Sequence, residues 1–186
     1  MKPLVLGNLS YGMYAIGVKD GNRPNACIVN TVMQISKATP SDQPLVALAM
    51  NRDNYSCECI EKEGIFSISV LSEDTPATVI GVLGFVSGRH ADKLGNVRHK
   101  VLIEGVPVIK ENTCCWFLCR VKDSMETKGQ KVFVAEVIAG SDEAVGKPMT
   151  YQYYVKHLGG ASPKQSPTYL PPARTFDKSS GESFVC

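Results

Sequence analysis

Short apolar segments alternate with polar, glycine-containing turns along most of the chain, and their length is typical of β-strands. The segments that predict strands are residues 11–18, 26–36, 44–50, 65–71, 101–108, 114–122 and 131–139. Several are rich in valine, isoleucine and threonine, which favour a pleated sheet. A long series of short strands is typical of a closed or nearly closed barrel. The pattern therefore predicts a mainly β fold, a β-barrel with a few helices.

Two segments between these strands carry helix signals. Asn54 is a suitable N-cap for a helix over residues 54–62, and Gly64 can end that helix in a left-handed conformation. A second helix is predicted over residues 75–84, because Pro76 stands at the first helical position, where proline is tolerated. We therefore expect few helices, all of them short.

The sequence changes character after Met149, where glycines and prolines become frequent. These residues predict irregular structure, yet several apolar side chains provide anchors that a free linker would lack. The anchors are Tyr151, Tyr153, Tyr154, Tyr169 and Leu170. We interpret the sequence as one domain over residues 1–186. Its barrel lies in 1–149, and a C-terminal arm in 150–186 packs on the barrel or on a partner subunit.

Charge and hydropathy argue against two classes of partner. The net charge is +2 and the basic residues are scattered, whereas a nucleic-acid-binding surface usually carries a clustered basic stripe. The longest apolar runs have the length of a strand, far short of the ~20 residues that span a bilayer. The N-terminus lacks the apolar stretch of a secretory signal. We therefore expect no nucleic acid, no membrane and a cytoplasmic location.

The chain has seven cysteines. An odd number without a secretory signal argues against a disulfide framework. Their spacing, CEC and CC-x3-C, does not match the paired C-x2-C knuckles of metal sites, and no two of the three histidines have metal-ligand spacing. We expect the cysteines to be small buried apolar side chains, and we expect no metal.

Polar residues interrupt the apolar segment 26–36 at Asn30, Thr31, Gln34 and Ser36. One interpretation is a half-exposed strand whose polar residues face outward. The other is a strand whose amides and hydroxyls face a planar ligand with N–H donors and carbonyl acceptors along its edge. The residues alone leave both interpretations open.

The segment 51–56 runs from a turn into the start of the first predicted helix. A helix start offers free N–H groups and a partial positive charge, both suited to a phosphate. Arg52 adds charge and Ser56 adds a hydroxyl. The alternative is a simple N-cap by Asn54.

A third cluster lies in a loop after the second predicted helix, where Arg89 and Lys93 flank a glycine-containing segment. Such a loop can clamp a phosphate, and the alternative is a solvated loop. The chain contains neither the GxGxxG fingerprint nor a P-loop nor a GxSxG elbow. A dinucleotide site of the Rossmann type is therefore not indicated.

Taken together, these segments resemble the flavin reductase-like family with the FMN-binding split-barrel fold. The resemblance is carried by LSYGMYAIG, NACIVNTVMQIS, ALAMNRDNYSCECIEKEGIFSISVL, GFVSGRHADK, VFVAEV and SPKQSPTYLP, in that order. The most similar branch is flavoredoxin and the flavin domain of high-molecular-weight rubredoxins. The resemblance implies a Greek-key split barrel, a homodimer and non-covalently bound FMN.

The resemblance also implies roles for ten residues and assigns no catalytic residue on the protein. The ring and ribityl chain would meet Asn30, Thr31, Val32 and Gln34. The phosphate side would be held by Asn51, Arg52, Asn54 and Ser56, with Arg89 and Lys93 assisting.

The implied function is that of an NAD(P)H-dependent flavin reductase. The main alternative is an electron carrier of the flavoredoxin type, fed by a redox partner protein, and a third interpretation is a module that only binds or stores flavin without redox turnover. Two departures from the family pattern bear on this choice. Gln130 stands where many of these reductases have a histidine, and Val155 follows Tyr153 and Tyr154 where close relatives read YYH. The paired CxxC knuckles of a fused rubredoxin domain are also missing from the sequence.

Overall fold

The computed structural model describes residues 3–164, 166, 168 and 169. Its strands are β1 (Tyr14–Asp20), β2 (Arg23–Val29), β3 (Val32–Gln34), β4 (Leu45–Asn51), β5 (Ile65–Leu71), β6 (His99–Val101), β7 (Pro107–Ile109), β8 (Thr113–Glu126) and β9 (Gln130–Gly140). Its α-helices are α1 (Tyr55–Glu63), α2 (Ala77–Phe85) and α3 (Tyr151–His157), and a 3-10 helix spans Pro3–Asn8. The rest of the predicted arm, including Leu170, lies outside the described residues.

Seven strands form one antiparallel sheet in the order β2-β1-β5-β8-β9-β4-β3, and β6 pairs with β7 in a separate hairpin. Register shifts in the long β8–β9 pair, at Leu118/Cys119 and Val121/Asp123, mark β-bulges. Bulges bend a strand and increase its twist, so they curl the sheet towards a barrel. The predicted mainly β fold is confirmed.

The main core lies inside this curled sheet, and a second apolar cluster includes residues of α2 and α3. In β4 every second residue is buried, and Val46, Leu48 and Met50 point into the core. Strand β5 is buried almost throughout because the β6–β7 hairpin covers it. There Ser69 Oγ accepts a hydrogen bond from Ile109 N at 3.0 Å, which satisfies a buried hydroxyl.

The first predicted helix is confirmed at both ends. Asn54 Oδ1 accepts a hydrogen bond from Ser56 N at 3.0 Å, as an N-cap should. Gly64 has φ +67°, and its N–H donates to Ile60 O at 2.8 Å. Helix α2 follows Pro76 and ends at Phe85, one residue beyond the predicted end.

Three segments differ from their prediction. The predicted strand 26–36 breaks at Asn30 and Thr31 into β2 and the short edge strand β3. The predicted strand 101–108 is wrong: this region holds a hairpin whose turn contains Gly105 at φ +80°, where a single strand cannot continue. The predicted irregular start of the arm is also wrong, because the Thr150 side chain caps α3 by accepting from Tyr153 N at 3.0 Å.

All six described cysteines are free thiols, and five of them are buried as expected; Cys115 is half-buried. None of the helices in the described part of the chain has the length and apolar character that crossing a bilayer requires.

Candidate functional site

A cavity of about 450 Å³ opens between the sheet and the helices. Its lining comes from the end of β2, the corner between β2 and β3, the end of β4, the start of α1, the end of α2 with the loop that follows, and the start of the arm. Its size lies within the range typical of small-molecule sites. Five of the ten residues singled out from the sequence line it, namely Asn30, Thr31, Asn51, Asn54 and Lys93.

Lys93 is a buried cation at this cavity. Its side chain is 5% exposed, and its Nζ donates to Leu83 O at 3.0 Å. Burial lowers the pKa of Lys93, and no carboxylate pairs with it among the described residues. An ammonium group has three donors, so this one can still donate to an anion that enters the cavity.

The thiol of Cys27 lies next to Lys93 and to the start of α1. Burial raises the pKa of Cys27, whereas the charge of Lys93 and the neighbouring side chains of Ser56 and Asn54 act in the opposite direction. Cys27 and Asn54 line the cavity, and Ser56 does not. The loop after α2 and the start of α1 therefore meet at one place, which combines a cation with a helix N-terminus, as phosphate sites do.

Arg52 and Arg89 do not line the cavity. Arg52 pairs with Glu126 at 3.5 Å, and both side chains are 54% exposed. Arg89 pairs with Glu58 in the first turn of α1 and lies over the ring of Tyr55, 4.9 Å from its centroid. Both guanidinium groups thus have acidic partners at the surface.

Three more of the ten residues lie off the cavity. Ser56 is 1% exposed, and its Oγ has no hydrogen-bond partner among the described residues. Val32 packs against the core from the edge strand β3. Gln34 is exposed and donates from its amide to the nearby Ser36 O at 2.8 Å.

Asn30 holds the arm to the barrel. Its Oδ1 accepts from Thr31 Oγ1 at 3.0 Å, and its Nδ2 donates to Thr168 Oγ1 at 2.7 Å. The Thr168 hydroxyl also lies 2.7 Å from the Ser162 hydroxyl and 2.9 Å from that of Ser166. Hydroxyl groups of the arm therefore meet the corner between β2 and β3, beside the cavity.

Asn51 and Gln130 face the cavity as a cross-strand pair of amides. They are Cα partners in the β4–β9 ladder, and both line the cavity. Asn51 Oδ1 accepts from Asp53 N at 2.9 Å. The Oε1 atom of Gln130 is buried and has no hydrogen-bond partner among the described residues.

Sequence reasoning missed several lining residues. Cys27 was taken for a core thiol, and Tyr151, Tyr154, Ser162 and Ser166 come from the arm. The clustered tyrosines and the SPKQSPTYLP segment are the signals that could have placed the arm beside the site. The cavity as a whole offers a cation and a helix start for an anion, and neutral amides and hydroxyls for a polar ring.

The chain is similar to proteins of one known family. The profile of the family described as "Flavin reductase like domain" matches residues 6–160. High molecular weight rubredoxin from Moorella thermoacetica is 34% identical over 169 residues, which cover 91% of this chain and 72% of that protein. Ferric-chelate reductase (NAD(P)H) from Archaeoglobus fulgidus is 26% identical over 162 residues, covering 87% and 94%.

Solved structures are similar as well. Flavoredoxin from Methanosarcina acetivorans superposes with a TM-score of 0.63 at 26% identity, covering 75% of this chain and 74% of that one. An FMN-binding protein from Thermus thermophilus superposes with a TM-score of 0.64 at 22% identity, covering 73% and 74%, and this second likeness concerns the fold alone. The fold is the split barrel of flavin reductases, as predicted.

Proposed function

Because the chain belongs to the flavin reductase-like domain family, we propose that its cavity binds FMN without a covalent link and that NAD(P)H reduces this cofactor. The predicted flavin-binding oxidoreductase function is confirmed by the family match and by the relatives. The choice of FMN, the residues that hold it and the electron donor are the proposal.

The residues of the cavity fit FMN. Lys93 provides a buried ammonium group with one backbone carbonyl as its partner, which suits the phosphate. The helix start at Asn54 provides N–H groups and a partial positive charge on the same side. The orphaned Oε1 of Gln130 and the hydroxyl of Thr31 suit the N–H and O–H groups of a flavin. The buried cation of Lys93 is the observation that carries the proposal.

In this proposal the protein binds and orients the cofactor. FMN supplies hydride acceptance and onward electron transfer. Lys93 and the start of α1 hold the phosphate, while Asn51 and Thr31 contact the remainder of the cofactor. The bond from Asn30 to Thr168 keeps the arm beside the cavity, where it excludes water from one side. Among the other predicted contacts, Arg52 and Arg89 would act on the phosphate through their charge, and Ser56 through its position at the start of α1. Val32 and Gln34 would act through the shape of the edge strand β3.

Mixing the purified protein with FMN tests the binding step. We expect quenching of flavin fluorescence and a saturable titration. Anaerobic stopped-flow mixing with NADH and with NADPH then follows the absorbance of the bound flavin. Loss of the oxidised absorbance with either nicotinamide supports the reductase, and absence of FMN binding would rule it out.

The second candidate function is that of an electron carrier. It is suggested by Gln130, which stands where many reductases of the family have a histidine and whose amide cannot titrate near neutral pH. If nicotinamides reduce bound FMN slowly, the protein is an electron carrier fed by a redox partner protein. The variant Gln130→His introduces the histidine of the reductases, so the same stopped-flow experiment shows whether the amide at this position is what slows the reduction of bound FMN. Fast reduction of the wild type contradicts the carrier.

We propose a homodimer in which the edge strand β3 is covered by a second subunit. Met33 is 60% exposed and Ile35, just after the strand, is 45% exposed, and an uncovered apolar edge favours association. Light scattering at micromolar concentration is expected to give twice the 20.2 kDa chain mass. Ile35→Lys should reduce this mass, whereas Ile103→Lys, on a fully exposed loop residue, should not. A monomeric wild type would contradict the dimer.

We further propose that residues 1–186 form a single domain and that the protein is cytoplasmic. Tyr154 packs with Leu83 and Met149, and Thr168 bonds to Asn30, which supports an arm that belongs to the barrel domain. The six cysteines that the structure describes are unpaired and five of them are buried, which suits the reducing conditions of the cytoplasm.

A further inference from the structure

Three buried side-chain atoms in the described part of the chain have no hydrogen-bond partner: Asn25 Nδ2, Ser56 Oγ and Gln130 Oε1. Of these three residues, Gln130 alone lines the 450 Å³ cavity. Buried polar groups without a partner are rare in folded proteins because each costs free energy. The exception at Gln130 therefore indicates a group that arrives from outside the chain.

The backbone around Gln130 is fixed. Its carbonyl accepts from Thr127 N at 2.8 Å in the β8–β9 turn, and its Cα is paired with that of Asn51 in the β4–β9 ladder. Arg52 N donates to Gly129 O at 3.3 Å, which ties the same turn to β4. Asn51 Oδ1 accepts from Asp53 N, and the Asn51 side chain makes no hydrogen bond to Gln130 Oε1. The side chain thus starts from a rigid position and retains a free acceptor.

The chemistry of this acceptor excludes some partners. A carboxamide oxygen accepts hydrogen bonds, and an ionised phosphate offers acceptors only, so the two cannot bond directly. A flavin carries donors elsewhere, at a ring N–H and at the ribityl hydroxyls. Gln130 and Lys93 therefore suit different parts of one ligand.

We infer that Gln130 is a binding residue for the ring or ribityl part of the flavin, with Oε1 accepting a hydrogen bond from the cofactor. This inference rests on the proposed function, since it requires a flavin in the cavity. It assigns to Gln130 a role that is independent of the phosphate, and it makes the flavin the partner that completes an otherwise unsatisfied group.

Riboflavin, which lacks the phosphate, separates this role from that of Lys93. In Gln130→Met, which keeps the length of the side chain but removes the amide, FMN and riboflavin should both bind roughly three- to tenfold more weakly. The matched control Lys93→Met should weaken FMN and leave riboflavin within about twofold, since the ammonium meets only the phosphate.

The unfolding temperature without flavin is a second readout. Because Oε1 is unpaired in the absence of ligand, flavin-free Gln130→Met should unfold at the same temperature as the wild type or higher. Its stabilisation by added riboflavin should be smaller. A residue with a purely structural role would show the opposite, a lower unfolding temperature with unchanged flavin affinities.

The outcomes are distinct. Equal weakening of both flavins in Gln130→Met supports the inference. Unchanged affinities, or weakening of FMN alone, overturn it while leaving the proposed function intact. A wild type that binds neither flavin overturns the proposed function and this inference together.

Discussion

The cavity has two kinds of lining that differ in charge. One, the basic set, consists of Cys27, Asn54 and Lys93, where a buried ammonium lies next to a thiol and a helix start. The other, the amide set, consists of Asn30, Asn51 and Gln130, which are uncharged. In the basic set burial lowers the pKa of Lys93. In the amide set the oxygens of Asn30 and Asn51 have partners within the protein, and that of Gln130 does not.

In the proposed site, burial rather than charge separates Lys93 from the two arginines. Lys93 lines the cavity, and Arg52 and Arg89 are sequence neighbours of residues that line it. The two arginines are exposed and paired with Glu126 and Glu58, so solvent and salt screen them. Lys93 is desolvated and has one carbonyl partner, so an anion gains most beside it.

Removing the Lys93 charge should have the largest effect on the basic set. A charge-assisted hydrogen bond contributes about 1.5–3 kcal/mol, so Lys93→Met should weaken FMN binding roughly ten- to hundredfold. Fluorescence titration measures the change, and Lys100→Met on the exposed face of β6 serves as the control. Equal FMN affinity in both variants would show that the phosphate binds elsewhere.

The pH dependence of FMN binding should distinguish the two sets next. Burial lowers the pKa of Lys93 from its ordinary 10.5, and a bound phosphate raises it again. Between the lowered pKa of the flavin-free protein and the raised pKa of the complex, binding therefore takes up a proton, and FMN affinity should fall by up to about tenfold per pH unit. Riboflavin, which does not engage Lys93, should lose less affinity than FMN over this range.

The lowered pKa of Lys93 also predicts that, in the flavin-free protein, the free energy of unfolding changes with pH in the opposite direction to FMN affinity. Between the lowered pKa of the folded protein and the ordinary 10.5 of the unfolded chain, the unfolded chain binds a proton at Lys93 that the folded protein does not, so the contribution of this group to the free energy of unfolding rises with pH. Denaturant unfolding of the wild type and of Lys93→Met checks it. If the two pH profiles coincide, Lys93 is not desolvated in solution.

Local signals were enough to predict much of the fold. The Asn54 cap, the Gly64 end and the bounds of β5 follow from the chemistry of a few neighbouring residues. The hairpin at Gly105 was missed because apolar residues run from Val101 through the turn to Val108, interrupted only by Glu104 and Gly105. Helix α3 was missed because Thr150 is its only strong signal and the following prolines suggested an irregular chain.

The site was less predictable because it depends on contacts between distant segments. The sequence predicts that Arg89 and Lys93 lie in one loop, and their neighbouring residues do not indicate which of the two side chains is buried. Lys93 is buried because its ammonium reaches Leu83 O at the end of α2, a contact that only the folded chain defines. The same holds for Asn30, whose amide is used by Thr168, 138 positions away.

The helix start can be tested with a matched pair of variants. Asn54→Ala removes the cap bond to Ser56 N and should lower the free energy of unfolding by about 0.5–2 kcal/mol. Since frayed N–H groups hold a phosphate less well, FMN should bind more weakly as well, by less than in Lys93→Met. Asn54→Ser keeps a capping oxygen and should recover most of both. Recovery of neither would mean that Asn54 acts through a contact other than the cap.

The two exposed arginines should have the smallest effects, and they should differ from each other. Arg52→Ala removes a surface ion pair, and its effect on FMN affinity should be below about twofold. Arg89→Ala leaves Glu58 unpaired in the first turn of α1, where its negative charge opposes a phosphate at the helix start. FMN binding should therefore weaken by about two- to fivefold and recover at high salt.

A double variant decides whether Arg89 acts through this carboxylate. If the role of Arg89 is to neutralise Glu58, then Glu58→Gln should make the removal of Arg89 harmless, and Arg89→Ala/Glu58→Gln should bind FMN as the wild type does. A direct contact between Arg89 and the phosphate predicts instead that the double variant stays weak. Since riboflavin lacks the phosphate, its affinity should not change in any of these variants, and a change would show that the loop after α2 also shapes the part of the cavity lined by the amide set.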